Sequence, residues 1–217
     1  MACEQRGTTL FHVPAGTITI DSASLDGWGV DKAEVVLLAI PTSVTSIGPN
    51  AFHGCSSLRS VDVPASVTSI GSYAFADCSS LTRVGLPTSI TSIGDCAFER
   101  CSALASVAVP ASVTSIGQGT FSECTSMAKV ELPPSVTRIE RCAFLGCSSL
   151  KTVHMPPSVA SVSEGAFERC GSLAYVIIPT SAAIISAYAF ARCGALAIII
   201  KPASGINANS ADVERSA

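Results

Sequence analysis

The chain is 217 residues long, nearly half of them apolar and only 13% charged, with a net charge of −3. That charged share is about half of what an ordinary soluble domain carries, so Ser, Thr, Ala and Gly must make up much of the surface. No run of Lys or Arg occurs, and aromatic residues are few, which argues against a nucleic-acid-binding surface and against an anionic membrane surface.

At the N-terminus, Met1 to Leu10 is polar and lacks the apolar stretch of a secretory leader. The longest apolar runs, Val35–Ile40 and Ala195–Ile200, are too short to span a bilayer. As written, the chain is expected to be intracellular and not inserted in a membrane. Residues 1–34 stand outside the pattern that follows. In them Thr17–Ile20 reads as a strand and Asp26-Gly27-Trp28-Gly29 as a turn. This region is expected to cap one end of the core, with Trp28 lying across it.

From Val35 a period takes over. Val35, Leu38 and Ile40 open it, and Pro41, Pro64, Pro87, Pro110, Pro133, Pro156, Pro179 and Pro202 recur every 23 residues. Phe keeps the same step from Phe52 to Phe190, and Cys from Cys55 to Cys193. An unbroken period of this length marks a solenoid with one supersecondary unit per turn. In one unit, Leu58 to Ser80, Val61 and Val63 alternate with polar residues as a strand does. Pro64 then ends the strand, having no N–H to donate. Ser66 to Ile70 is β-branched and reads as a second short strand, closed by Gly71 in a positive-φ turn. Ala74-Phe75-x-x-Cys78 reads as a single helical turn with Ala, Phe and Cys inward. Stacking aligns these residues into ladders. The serine two residues after each proline, Ser43 to Ser181, is expected to bond backbone groups left over at that turn.

The pattern L-x-x-V-x-[VL]-P-x-S-V-T-S-I-G-x-x-A-F-x-x-C-S-S, as in Leu81 to Cys101, resembles the BspA-like class of leucine-rich repeats. The resemblance implies an α/β repeat solenoid. It would be a leucine-rich-repeat superhelix with a parallel β-sheet on its concave face, and short strands and single helical turns elsewhere. It covers residues 35–202 as about seven tandem repeats and leaves 203–217 as a disordered tail. It also implies adhesion or protein binding, a cell-surface location in place of the intracellular one, and no catalytic residues. Later units drift. Glu140, Ser163 and Ser186 replace the glycine, so their turns must adapt, and Ala182, Ala183 and Ile184 replace Val, Thr and Ser.

Function is therefore expected on the outward strand positions. In the middle of the array these hold Arg83, Lys129, Glu131, Lys151 and His154. At the C-terminal end they hold Tyr175, Ile177, Ile198 and Ile200, an apolar cluster of the kind that marks contact surfaces. His154 has Glu131 and Ile177 as column neighbours, read as a cross-strand contact and not a catalytic dyad. Cys96 and Cys142 are extra thiols. Each lies five residues before a ladder cysteine, an offset of roughly 8–9 Å along a helical turn, beyond the disulfide limit of about 7 Å. They lie two coils apart, roughly 10 Å, too far for one zinc, and are expected to be exposed. No metal, cofactor or catalytic residue is expected. The reading is a non-enzymatic protein-interaction module. The alternative is a structural accessory subunit of a larger assembly, joined through the open C-terminal end of the solenoid.

Overall fold

The computed structural model describes residues 10–200, and of 198–200 the backbone alone. The chain winds as a parallel β-solenoid of eight coils, each carrying two strands. The longer ones are β1 (Leu10–His12), β3 (Leu37–Ala39), β5 (Ser60–Asp62), β7 (Arg83–Gly85) and β9 (Ser106–Ala108), then β11 (Lys129–Glu131), β13 (Thr152–His154) and β15 (Tyr175–Ile178). A further strand, β17 (Ala197–Ile200), begins a ninth coil. The shorter ones are β2 (Thr19–Ile20), β4 (Ser46–Ile47), β6 (Ser69–Ile70), β8 (Ser92–Ile93), β10 (Ser115–Ile116), β12 (Arg138–Ile139), β14 (Ser161–Val162) and β16 (Ile184–Ile185). Every pairing is parallel. Both rows are interrupted between the fourth and fifth coils, where β7 and β9 lie side by side without strand pairing. There the Ala105 N–H reaches Thr82 at a stretched 3.5 Å, against 2.9 Å for Thr82 to Arg59 one coil earlier.

Most of the register follows the 23-residue step, as in Ser60↔Arg83 and Thr152↔Tyr175. Both ends depart from it. Leu10 pairs with Leu37 and Thr19 with Ser46, steps of 27, so the N-terminal region is itself a coil, four residues longer than the rest. Strand β1 was not expected. Its sequence signal is Phe11-x-Val13-Pro14 followed by Ile20, the strand–proline–strand order at an altered spacing. The Asp26-Gly27 turn is instead part of a short helix, α1 (Ser24–Gly27), whose Leu25 is fully buried. Trp28 packs against the core with its ring 5.7 Å from Phe11. At the other end Tyr175 pairs with Ala197, a step of 22.

Inside, six phenylalanines from Phe52 to Phe167 are fully buried, and Phe190 nearly so. The seven rings stack in one column at 5.1–5.6 Å. The ladder cysteines do more than fill space. From Cys78 to Cys193 each Sγ–H donates to the carbonyl of the phenylalanine 26 residues earlier, at 3.0–3.3 Å. The serine ladder behaves as expected. Ser66, Ser89, Ser135 and Ser158 donate to valine carbonyls of the previous coil at 2.6–2.7 Å, Ser43 and Ser112 to other carbonyls there, and Ser181 to those of both Pro157 and Val159.

Two readings of the turns need correcting. The Ala-Phe-x-x-Cys segment is not a helical turn. Tyr73 and Asp77 on either side of Phe75 have φ of 57° and 58°, in the left-handed region that a right-handed helix excludes. The segment is a run of tight turns: Ala76 bonds back to Tyr73 and Cys78 to Phe75. Between those bonds, Tyr73, Phe75 and Asp77 donate forward to Asp95, Ala97 and Glu99 of the next coil. The glycine after the second strand is also not a positive-φ residue. It is there because coils meet backbone to backbone: a β-carbon on Gly71 would lie 2.5 Å from the Pro49 nitrogen.

Candidate interaction surface

Alternation along the three-residue strands buries each central residue and turns its neighbours outward. Val84, Val107, Val130, Val153 and Val176 are buried, while Arg83, Lys129, Glu131, Thr152, His154 and Tyr175 are exposed. All of these lie on the outer face of the longer strands. Ile177, opposite His154, is half-buried.

On this face the charges pair locally. Lys129 Nζ donates to Glu131 Oε1 at 2.6 Å along one strand, and this ammonium holds the Glu131 carboxyl below its usual range. Arg83 Nη2 donates to Asp62 Oδ2 at 2.8 Å across two strands. Gly85 makes room for that pair, because a β-carbon there would lie 2.5 Å from Asp62 Oδ1. Both pairs are well exposed and contribute little to stability. The expected cross-strand contact between His154 and Glu131 is not the one formed, since Glu131 takes Lys129 instead. Lys129, Val130, Glu131, Leu132, Thr152 and His154 line one open depression of about 250 Å³. Tyr175, 52% exposed, is paired with Thr152 on the adjacent strand. So Lys129, Glu131 and His154 come together with Tyr175 and Ile177. Arg83 lies apart on β7, and Lys151 is exposed just before β13.

Ile198 and Ile200 fall elsewhere in the register than expected. The 22-residue step pairs Tyr175 with Ala197 and Ile177 with Ile199, whereas Ile198 partners Val176 and Ile200 partners Ile178. The tail from Ala203, with Lys201 and Pro202, lies outside the described residues. Thr152 belongs to the depression although it was not singled out; its place in the column four residues before each proline is the signal that would have found it.

The extra thiols also differ from expectation. Cys96 is buried, 8% exposed, under the space left by Gly119, and only Cys142 is partly exposed. Burial pushes the Cys55 thiol up to about 11 and those of Cys101 and Cys147 up to about 12. A thiol that ionises later in the folded than in the unfolded chain stabilises the fold fully below its ordinary value, and that contribution is lost as pH climbs through the folded one. The urea midpoint should therefore hold up to about pH 9 and fall steadily by about pH 11. Guanidine-free alkylation at pH 8 should label Cys142 well before the ladder thiols Cys55, Cys101 and Cys147.

His53 Nε2 pairs with Asp77 at 3.1 Å on the outer corner of the coils, and His12 lies exposed on β1. Among the described residues no three His, Cys, Asp or Glu side chains converge as a metal site requires. Among them, too, no helix is long and apolar enough to cross a membrane.

The model of the BspA type leucine rich repeat region matches residues 31–141 and 114–211, in six copies. Among solved structures, a leucine-rich repeat protein of T. pallidum is 30% identical, with a TM-score of 0.67 over 88% of this chain and 84% of that one. A leucine-rich cell surface protein of Faecalibacterium prausnitzii is 28% identical, with a TM-score of 0.61 over 91% and 70%. A Bacteroides ovatus leucine-rich repeat protein, 22% identical with a TM-score of 0.61 over 91% and 65%, shares the fold. No curated protein matches the chain.

Proposed function

This chain belongs to the BspA-type leucine-rich repeat family, and we propose that it is a non-enzymatic protein-interaction module whose contact surface is the outer face of β11, β13 and β15. The observation that carries this reading is the depression lined by Lys129, Glu131, Thr152 and His154, with an exposed tyrosine on the next strand. A tyrosine beside paired charges and an imidazole offers an aromatic anchor with a polar rim, the usual anatomy of a protein contact. Lys151, just before β13, extends the rim, and Arg83 is a separate candidate contact on β7. In this reading residues 1–34 cap the array, 35–202 are its tandem repeats, and 203–217 are a tail. The F. prausnitzii relative is described as a cell surface protein; by analogy, adhesion at a surface is the setting we propose.

A second reading, an accessory subunit built into a larger assembly, draws support from the low charge of the chain and its apolar last coil. One experiment separates the two. Wild type and a Lys129→Glu/Tyr175→Asp double variant, both shown to keep the fold by circular dichroism, are used to capture partners from native material. Loss of a captured protein with the variant supports the outer face of β11–β15. Equal capture by both overturns that assignment and moves the contact off this face.

A further inference from the structure

We infer that the solenoid bends at a joint between the fourth and fifth coils. Coils one to four and coils five to eight swing there as two rigid blocks, about the side that carries Phe98 and Phe121. The joint stands whether or not the outer face of β11–β15 binds a partner.

Each coil has three sides: the longer strand, the shorter strand, and the run of turns that carries phenylalanine and cysteine. On the shorter-strand side, two backbone bonds close one coil onto the coil before. Thr68 donates to Thr45 and Gly71 to Ile47, Thr91 to Thr68 and Gly94 to Ile70, then Thr137 to Thr114 and Glu140 to Ile116, all at 2.7–3.0 Å. Between the fourth and fifth coils neither bond forms, since nothing joins Thr114 to Thr91 or Gly117 to Ile93. On the longer-strand side β7 and β9 do not pair, and Ala105 is 3.5 Å from Thr82. The turn side stays shut. Cys96, Phe98 and Arg100 donate to Gln118, Thr120 and Ser122 at 2.8–2.9 Å, and Cys124 Sγ donates to Phe98 at 3.2 Å. Two open sides and one closed side make a hinge whose axis runs along the closed side. Coils touch only their neighbours, so motion concentrates at the junction with the fewest bonds to break.

The junction of the sixth and seventh coils is the nearest rival. Lys151 is stretched to 3.4 Å from Ala128 there, yet β12 and β14 pair, and Ala160 and Ser163 keep their bonds at 2.8 Å. Between the fourth and fifth coils a side chain stands in for the lost backbone bond. The exposed Asp95 accepts the Gln118 N–H on Oδ1 at 2.9 Å. A carboxylate turns about its own side-chain torsions, so it can follow a change of angle that a backbone-to-backbone bond resists. The joint divides the outer face, with Asp62 and Arg83 on one block and Lys129, His154 and Tyr175 on the other.

The test is a set of backbone amide residual dipolar couplings, measured on the full chain in two alignment media. In the expected result each block fits its own alignment tensor, and no single rigid arrangement of the two blocks satisfies both media. Dividing the chain instead between the third and fourth coils, or the sixth and seventh, should give no such gain. Asp95→Ala, checked for folding by a thermal melt, should increase the disagreement between the blocks. One rigid arrangement of all eight coils that satisfies both media overturns the inference, as does a better division at another junction. Wild-type couplings in Asp95→Ala overturn the part given to that carboxylate.

Discussion

Phe98→Ala should lower the unfolding free energy by about 3–5 kcal/mol, the usual cost of deleting a fully buried ring with its cavity left behind. Phe98 lies between Phe75 at 5.3 Å and Phe121 at 5.6 Å, with no solvent exposure. Each coil touches only its neighbours, so the damage should stay local before it becomes global. Urea denaturation reads the total loss. Amide hydrogen exchange should show the fourth and fifth coils opening first, at the place where the strand rows are already interrupted. Phe190→Ala is the comparison: its ring has one stacking neighbour among the described residues and is 7% exposed, so it should cost distinctly less. Equal losses at both positions would mean that the column does not act through neighbour contacts.

Gly94→Ala should cost about 1–3 kcal/mol or more, although it adds a single methyl. A β-carbon there would lie 2.4 Å from the Ser72 nitrogen and 2.6 Å from the Gly71 carbonyl carbon. Both are backbone atoms of the preceding coil, which cannot rotate away. Gly171→Ala is the control, because nothing lies within 4 Å of its added carbon. Thermal melts of the two variants should therefore separate clearly, and a Gly94→Ala protein as stable as wild type would refute the close-approach account. The close approach is not uniform along the array. At Gly117 the nearest atom is a side-chain oxygen of Asp95, with the Ile93 carbonyl already 3.6 Å away. The coils have drawn apart there, and Glu140 and Ser163 then make the same N–H bonds to Ile116 and Ile139 that Gly94 makes to Ile70.

What could be seen in the sequence was whatever the period repeats. Phe75, Cys78, Ser66 and the strand valines occupy equivalent places along the 23-residue coils, so their burial or bonding follows from stacking alone. The sign of φ was not visible. Fourteen positions two residues either side of the ladder phenylalanines are left-handed, yet only Gly54, Gly119, Gly146 and Gly165 announce it. Tyr73, Cys96, Arg100 and Glu123 adopt it at a cost of roughly 1–2 kcal/mol each, which the forward bonds to the next coil offset. The candidate surface was legible as a set of outward columns. Its internal pairing was not, because Lys129 reaches along its own strand to Glu131 and leaves His154 aside. Ile198 and Ile200 were misplaced because the last strand slips by one residue. Periodicity cannot report a slip that leaves the motif intact: Leu196 still stands 23 residues after Leu173.

The regular step also sets the increments in which such a chain can change length. Adding or removing a whole 23-residue coil leaves every column of the core, every Cys–carbonyl bond and every serine bond in place, and alters only the extent of the surface. Adding or removing one residue within a strand exchanges its inward and outward sides. The four surplus residues of the first coil lie between β2 and β3, outside any strand. The array is thus free to be copied in whole units and resists being edited by single residues, which makes the reach of its outer face the property most open to variation among its relatives.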